Sequence, residues 1–523
     1  MRPVESRNGM VVSQHSLATH AGVEVLRGGG NAVDAAVTAG FVLAVTLPSA
    51  GNLGGGGFMM VHLANSHETI AIDYREKAPL SASQNMFLDK DGSIISGKST
   101  YSYQSSGVPG TVAGLALALR KYGTISLSRA LKPAIEYAEK GFIVDEYLHD
   151  SLIAVKKEME KCPASISIFF KDGGAPYEVG DRIVQKDLAW SLKEIAGKGS
   201  QSFYTGSIAK KIVADMAAND GLITMKDLAA YQPVIRKPIH GTYRGYDIFS
   251  MPPPSSGGVH LVQILNLLET FPVDSLGHNT PETIHLMAEC MKFAYADRSR
   301  HLGDPDFVKV TSAGLTSKKY ADELRKKISL KTITPSVEIL PGNPGGYESD
   351  QTTHFSVMDK YGNAVSNTFT LNFSYGSCIT AAGTGILMND EMDDFSSKSG
   401  VPNAYGLINE GSNSIEPGKR MLSCMTPAII LKNGKVYMIT GSPGGSKIIT
   451  TTLQVILNVL DHKMNLADAT NAARIHHQWM PDVLYVEKGI DAVTLRRLMG
   501  SGYKIETQGY MGCTQSIMRM GRI

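Results

Sequence analysis

The four residues Gln351-Thr352-Thr353-His354 stand where a stretch rich in proline and glycine, residues 332–346, gives way to strand-forming sequence. A threonine hydroxyl is a poor nucleophile unless a base sits beside it. A cut before Thr352 would turn its own α-nitrogen into an amine with a pKa of about 7.7–8.0. That value suits proton transfer near neutral pH, and a threonine served by its own α-amine is a known nucleophile–base pair. Read as four letters alone, the segment is first of all two β-branched residues opening a strand.

Two glycine-rich segments invite a phosphate reading. GNLGGGG at 51–57 lacks the lysine of a P-loop, and GSPGGSK at 441–447 lacks the Gly-Lys-Ser/Thr order. The first reads as a tight turn needing positive φ. In the second, a strand runs in and a helix runs out. The amides of Gly444 and Gly445 can therefore lie at a helix N-terminus and favour an anion or a developing oxyanion. The acidic run 389–394 (NDEMDD) follows a strand. On its residues alone it reads as a solvated turn, a divalent-metal site or an anchor for a substrate ammonium, and it lacks the alternating aspartates of a calcium loop. No G-x-S-x-G elbow and no H-E-x-x-H helix occurs. His476 and His477 are adjacent, so on a helix they would point to different sides and read as structural.

These groups need positioning, and the chain alternates helix and strand signals throughout. Asn31 caps an Ala/Val-rich helix running to Leu47 with Pro48 as its stop. Strands are expected at 58–64 and 68–74, and helices at 111–122, 128–140, 187–196, 207–219 and 224–230. Thr280 as N-cap and Pro281 at the first helical position start a helix that runs towards Arg300. MPPPSSGG at 251–258 reads as a rigid loop. After the Thr352 region come strands at 353–359 and 364–371, a short one at 385–388, and a hairpin, 428–432 with 435–440, turning on Asn433-Gly434. A helix follows at 448–460.

Bulk properties bound the class. The chain has 523 residues, 43% hydrophobic and 19% charged, with net charge +2. This is a globular composition. It implies no nucleic-acid partner. The apolar run 36–48 is too short to span a bilayer, which takes about 20 residues. Five cysteines, Cys162, Cys290, Cys378, Cys424 and Cys513, are widely spaced with no C-x-x-C, which suggests neither a zinc site nor a redox pair.

The ordered motifs GGNAVDAAV from Gly29, GNLGGGGFM, DYREKAP, MPPPSSGG, YADRS, GDPDFV, QTTHFSV, MDDFS, GSPGGS and CTQS at Cys513 span nearly the whole chain. Together they resemble the gamma-glutamyltranspeptidase family, the glutathione hydrolase proenzymes, and more closely its bacterial members. The resemblance implies an α+β fold, the four-layer αββα sandwich of N-terminal-nucleophile hydrolases. It implies self-cleavage between Gln351 and Thr352 into a large subunit (1–351) and a small one (352–523) that stay together as one intertwined heterodimer. The implied activity is γ-glutamyl transfer to an amino acid or peptide, or hydrolysis of glutathione and related compounds, with no metal or cofactor.

Residue by residue, the resemblance makes Thr352 the nucleophile and Thr370 its supporting hydroxyl. Asn372, Glu391 and Asp394 match the groups that hold the substrate ammonium. Arg75 matches the arginine for the α-carboxylate, with Ser423 and Cys424 beside it. Gly444 and Gly445 match the oxyanion hole, and Tyr405 the covering tyrosine of a lid at 400–419. Thr370 and Asn372, two apart on one strand, should share a face. Cys424 stands where the family has a serine. Because a thiol is a weaker donor than a hydroxyl, poorer binding of the substrate carboxylate is expected, with the chemistry intact. The resemblance also implies a periplasmic or secreted enzyme, although residues 1–12 show no signal peptide. A strand that continues in the family stops at Ile523, from which an unpaired sheet edge is expected. Two rivals are an uncleaved, inactive relative and an enzyme for other substrates, such as poly-γ-glutamate or an acylated β-lactam.

Overall fold

The computed structural model describes residues 2–340, 351–396 and 411–521. Two antiparallel sheets form its centre. The first has six strands in the order Gly9–Ser13, Gln351–Asp359, Ala364–Asn372, Gly56–Leu63, Glu68–Asp73, Val234–Arg236. The second has five, in the order Ile517–Met518, Lys435–Thr440, Ala428–Lys432, Tyr246–Ser250, Ile239–Tyr243. Strands from both sides of the Gln351–Thr352 bond share both sheets, and in the first the two later strands lie between earlier ones. The Ile517–Met518 strand lies at one edge of the second.

The period-2 alternation of each strand sorts its side chains between layers. Phe58 and Met60 join Ile429 and Ile439 in a core between the sheets. Their neighbours Met59 and Val61 face the other way, with Phe355, Val357 and Phe369, into a core shared with the helices Ser16–Arg27, Ala32–Thr46 and Leu127–Lys140. On the far side, Ile248, Ile430 and Met438 pack against Gly257–Leu268, Pro281–His301 and Ile448–Leu460. The layers run helix, sheet, sheet, helix, so the expected α+β, four-layer αββα sandwich is the fold found.

Local signals account for the helix starts. Asn31 and Asp34 form a reciprocal capping box on Ala32–Thr46, all of whose residues are buried. Thr280 caps Pro281–His301, with Pro281 in its first turn. The Asn433-Gly434 turn has φ of 52° and 73°, the left-handed pair that this hairpin type requires. Among the described residues, no helix is long and apolar enough to cross a membrane.

Two expectations need correction. MPPPSSGG is not loop to its end, because Gly257 and Gly258 already belong to the helix Gly257–Leu268. A Cβ on Gly257 would lie 2.3 Å from Thr426 Oγ1, so glycine serves close packing there. The two adjacent histidines are not helical. His476 ends the strand Ile475–His476, and both rings are buried and held neutral by burial, His476 down to about 3.

Candidate active site

Thr352 is the second residue of the Gln351–Asp359 strand and is buried, 6% exposed. Its neighbours fix what it faces. Thr353 pairs with Phe369 and Gln351 with Asn372, and the register shifts between them. Thr370 and Leu371 thus stand together opposite Thr352 in a β-bulge. Bulges re-aim side chains and recur beside active sites. Asn372 closes the bulge at φ 82°, a left-handed conformation that asparagine tolerates better than most residues. Its backbone N–H donates to Thr370 Oγ1 at 2.9 Å. Thr370 and Asn372 are joined by this bond and not by simple strand alternation, which the bulge interrupts.

From Asn372 the contacts lead into the acidic turn. Its Nδ2 donates to Asp390 O at 3.1 Å and to Asp390 Oδ2 at 3.2 Å, and Phe373 N–H donates to Asp390 Oδ1 at 2.9 Å. Residues Glu391–Asp394 form a 3-10 turn, all of it buried. The solvated-turn reading is therefore overturned. Arg75, 1% exposed, lies against the turn. Its Nη1 stands 2.6 Å from Glu391 Oε2, and its Nη2 pairs with Asp394 Oδ2. Among the described residues no cluster of His, Cys, Asp or Glu is arranged to hold a metal ion.

The electrostatics of this cavity are unbalanced. Glu76, Glu391 and Asp394 are buried against the Arg75 guanidinium, and Asp390 and Asp393 are buried in the same turn. Burial pushes Glu391 and Glu76 up to about 8, with Arg75 pulling the other way. Burial pushes Asp393 to about 7 despite the hydroxyl of Ser99 at 2.6 Å. Asp390 and Asp394 lie well above the usual carboxylate range for the same reason. Such a cluster has a shortage of positive charge, and an added ammonium would relieve it.

Arg75 also ties the turn to the segment bearing Ser423 and Cys424. Its Nε donates to Met421 O at 3.3 Å and its Nη2 to Leu422 O at 3.4 Å. That segment is pinned from below by the Pro-Ser-Ser loop: Ser423 N–H donates to Pro254 O at 2.8 Å and Ser256 N–H to Ser423 O at 2.7 Å. Cys424 is fully buried, with Ser256 Oγ 3.7 Å from its sulfur.

The GSPGGSK loop behaves as its residues suggest. Gly444 and Gly445 have φ of 133° and 57°, and a 3-10 turn, Gly445–Lys447, leads into Ile448–Leu460. Its start rests on the strand Gln351–Asp359. A Cβ on Gly441 would lie 2.4 Å from the His354 ring. Burial holds that ring neutral, down to about 3, between Thr368 Oγ1 at 2.8 Å and Ser356 Oγ at 3.1 Å.

The other glycine motif corrects its reading. None of Gly51, Gly54, Gly55, Gly56 or Gly57 has positive φ. A Cβ would meet Leu387 O at 2.1 Å on Gly54, Thr370 O at 2.1 Å on Gly55 and the Glu76 carboxylate at 2.5 Å on Gly56. The motif lets backbone and carboxylate approach the bulge closely. Glu76, Asn52 and Ser256 are site residues that sequence reasoning did not single out, and Asp390 was marked only as part of the acidic run. Asn52 Nδ2 donates to Thr370 O at 2.8 Å. All four lie inside the motifs GNLGGGG, DYREKAP, MPPPSSGG and NDEMDD, which was the available signal. Tyr405 lies outside the described residues, as does the first part of the expected lid.

The family model described as Gamma-glutamyltranspeptidase matches residues 18–522. The chain is 52% identical, over 99% of its length and 89% of the relative's, to a glutathione hydrolase proenzyme of Escherichia coli strain K12. A solved cephalosporin acylase from Bacillus halodurans superposes with a TM-score of 0.86 at 28% identity, covering 99% of this chain and 94% of that one. A solved gamma-glutamyltranspeptidase chain from Helicobacter pylori does so with a TM-score of 0.64 at 48% identity, covering 65% of this chain and 97% of that one.

Proposed function

The chain belongs to the gamma-glutamyltranspeptidase family, and from that premise we propose how its residues perform an autoprocessed γ-glutamyl transfer and hydrolysis. In the precursor, Thr352 Oγ attacks the carbonyl carbon of Gln351. The Gln351–Thr352 C–N bond breaks, an ester forms, and water releases the Gln351 carboxylate. Thr352 is left with a free α-amine. Residues 1–351 and 352–523 are then the large and small subunits, held together by their interleaved strands.

In turnover the amine takes the proton from Thr352 Oγ as the oxygen adds to the γ-carbonyl carbon of the donor. The amides of Gly444 and Gly445 receive the oxyanion. Collapse breaks the C–N bond, and the leaving amine departs with the proton. The γ-glutamyl ester then passes to water, giving glutamate, or to the amine of an amino acid or peptide. Arg75, Ser423 and Cys424 take the donor's α-carboxylate; Asn372, Glu391 and Asp394 take its α-ammonium. Glutathione is the donor class this site suits, and Tyr405 is assigned as its cover. Export to the periplasm or medium is assigned on family grounds.

The observation that carries this reading is Arg75 seated among buried, under-neutralised carboxylates beside the Thr352 bulge. A zwitterionic glutamyl end brings the ammonium that the carboxylates lack and a carboxylate that Arg75 can take. Similarity to a cephalosporin acylase favours a second reading, acylase activity on a donor without an ammonium. The two separate in one assay of the matured protein, with a γ-glutamyl anilide against the anilide of the same acyl chain lacking the α-amine. Preference for the first by at least about thirtyfold in kcat/KM, the worth of a lost charged hydrogen bond, supports the transpeptidase reading. Equal use favours the acylase.

A further inference from the structure

The YADRS motif, 295–299, takes no part in the chemistry above, yet its helix touches both halves of the site. Tyr295 and Arg298 are three residues apart on Pro281–His301, hence on one face, and are 2% and 1% exposed. The Tyr295 hydroxyl donates to Ser446 O, the carbonyl next to Gly445. Ser446 is held from the other side, its Oγ donating to Gln478 Oε1 at 2.9 Å, and that oxygen also lies 3.0 Å from His476 Nε2. The Tyr295 ring is fixed edge-on between His260 and His476, with centroids at 6.0 and 5.6 Å. One turn on, Arg298 Nε donates to Ser256 Oγ at 2.8 Å. Ser256 Oγ in turn donates to Ser423 O at 2.9 Å.

We propose that Tyr295 and Arg298 are paired positioning residues: Tyr295 sets the Gly444–Gly445 amides, and Arg298, through Ser256, sets the Ser423–Cys424 segment that receives the donor carboxylate. The proposal rests on the oxyanion and carboxylate assignments made above. Both residues precede the cleavage bond and both loops follow it, so association of the two subunits fixes the site's two ends relative to each other. The two arms act at different stages. Oxyanion donors count only when the oxyanion forms, so a fault there lowers kcat. A fault in carboxylate binding weakens donor and transition state alike, so it raises KM.

The test uses the matured enzyme with a γ-glutamyl anilide, on variants that have cut themselves and melt like the parent. Tyr295→Phe removes one hydroxyl and is expected to lower kcat about tenfold or more, with KM within about twofold. Ser256→Ala also removes one hydroxyl and is expected to raise KM about fivefold with kcat within about twofold. Arg298→Lys, which keeps a donor, should restore KM relative to Arg298→Met. Equal movement of kcat and KM in both hydroxyl variants, or no movement in either, would overturn the proposal. Gly444→Ala, whose Cβ would meet Met511 O at 2.5 Å, separates the layers. If it keeps full kcat, the oxyanion assignment fails and the Tyr295 arm with it. If it loses kcat while Tyr295→Phe does not, the brace alone fails.

Discussion

Arg75 Nη1 stands 2.6 Å from Glu391 Oε2, so the cation assigned to the donor's carboxylate and a carboxyl assigned to its ammonium face each other directly. A glutamyl zwitterion must enter between them, exchanging one buried pair for two. Because burial holds Glu391 near 8 and Asp393 near 7, protonated carboxyls meet the ammonium at lower pH. Affinity for a non-reactive γ-glutamyl analogue, measured by calorimetry, is expected to rise from pH 6 to 8.5 with release of protons. A flat profile without proton release would contradict this.

The same groups shape stability. Glu391 and Glu76 have folded-state pKa values raised from 4.5 to about 8. Their contribution is therefore complete below about 4.5 and is lost as pH rises through about 8. The unliganded protein's Tm should fall between pH 6 and 9. Glu391→Gln, neutral throughout, should flatten that slope. An unchanged slope in the variant would mean that Glu391 is already ionised in the free protein.

Much of this was legible in the residues. Caps and turns such as Asn31, Thr280-Pro281 and Asn433-Gly434 act locally, so their elements appear where they were expected. The acidic run did not reveal its burial, because only tertiary folding brings Arg75, 316 residues before Glu391, against it. The β-bulge at Thr370 was equally hidden. It depends on which strand pairs with which, and the alternation rule that placed Thr370 and Asn372 on one face holds only in an unbroken ladder. The glycines of 54–57 were recognised as special, but the reason is the closeness of Thr370 O and Glu76, which composition does not carry.

Cys424 lies in the segment assigned to the donor carboxylate, with Ser256 Oγ 3.7 Å from its sulfur. Cys424→Ser exchanges a weak donor for a stronger one in nearly the same volume. KM for the donor is expected to fall about two- to fivefold, with kcat within about twofold. Steady-state kinetics on the matured variant checks this, and an unchanged KM would show that the thiol does not limit binding.

Thr370 Oγ1 holds the Asn372 amide at the bulge. Thr370→Val keeps the β-branched shape and loses that acceptor. Self-cleavage should slow about tenfold or more and kcat should fall with it, since a buried N–H is left unpaired opposite Thr352. A gel time course of subunit formation measures the first effect. Wild-type processing in this variant would remove Thr370 from the machinery.

If Thr352 becomes an N-terminal nucleophile, the chain must cut itself before that residue. The direct measurement is intact mass and N-terminal sequencing after incubation at neutral pH, on the parent and on Thr352→Ala. Two fragments are expected from the parent, the smaller beginning Thr-Thr-His-Phe, and one uncut chain from the variant. A parent that stays whole, or a variant that is cut at the same bond, would contradict it.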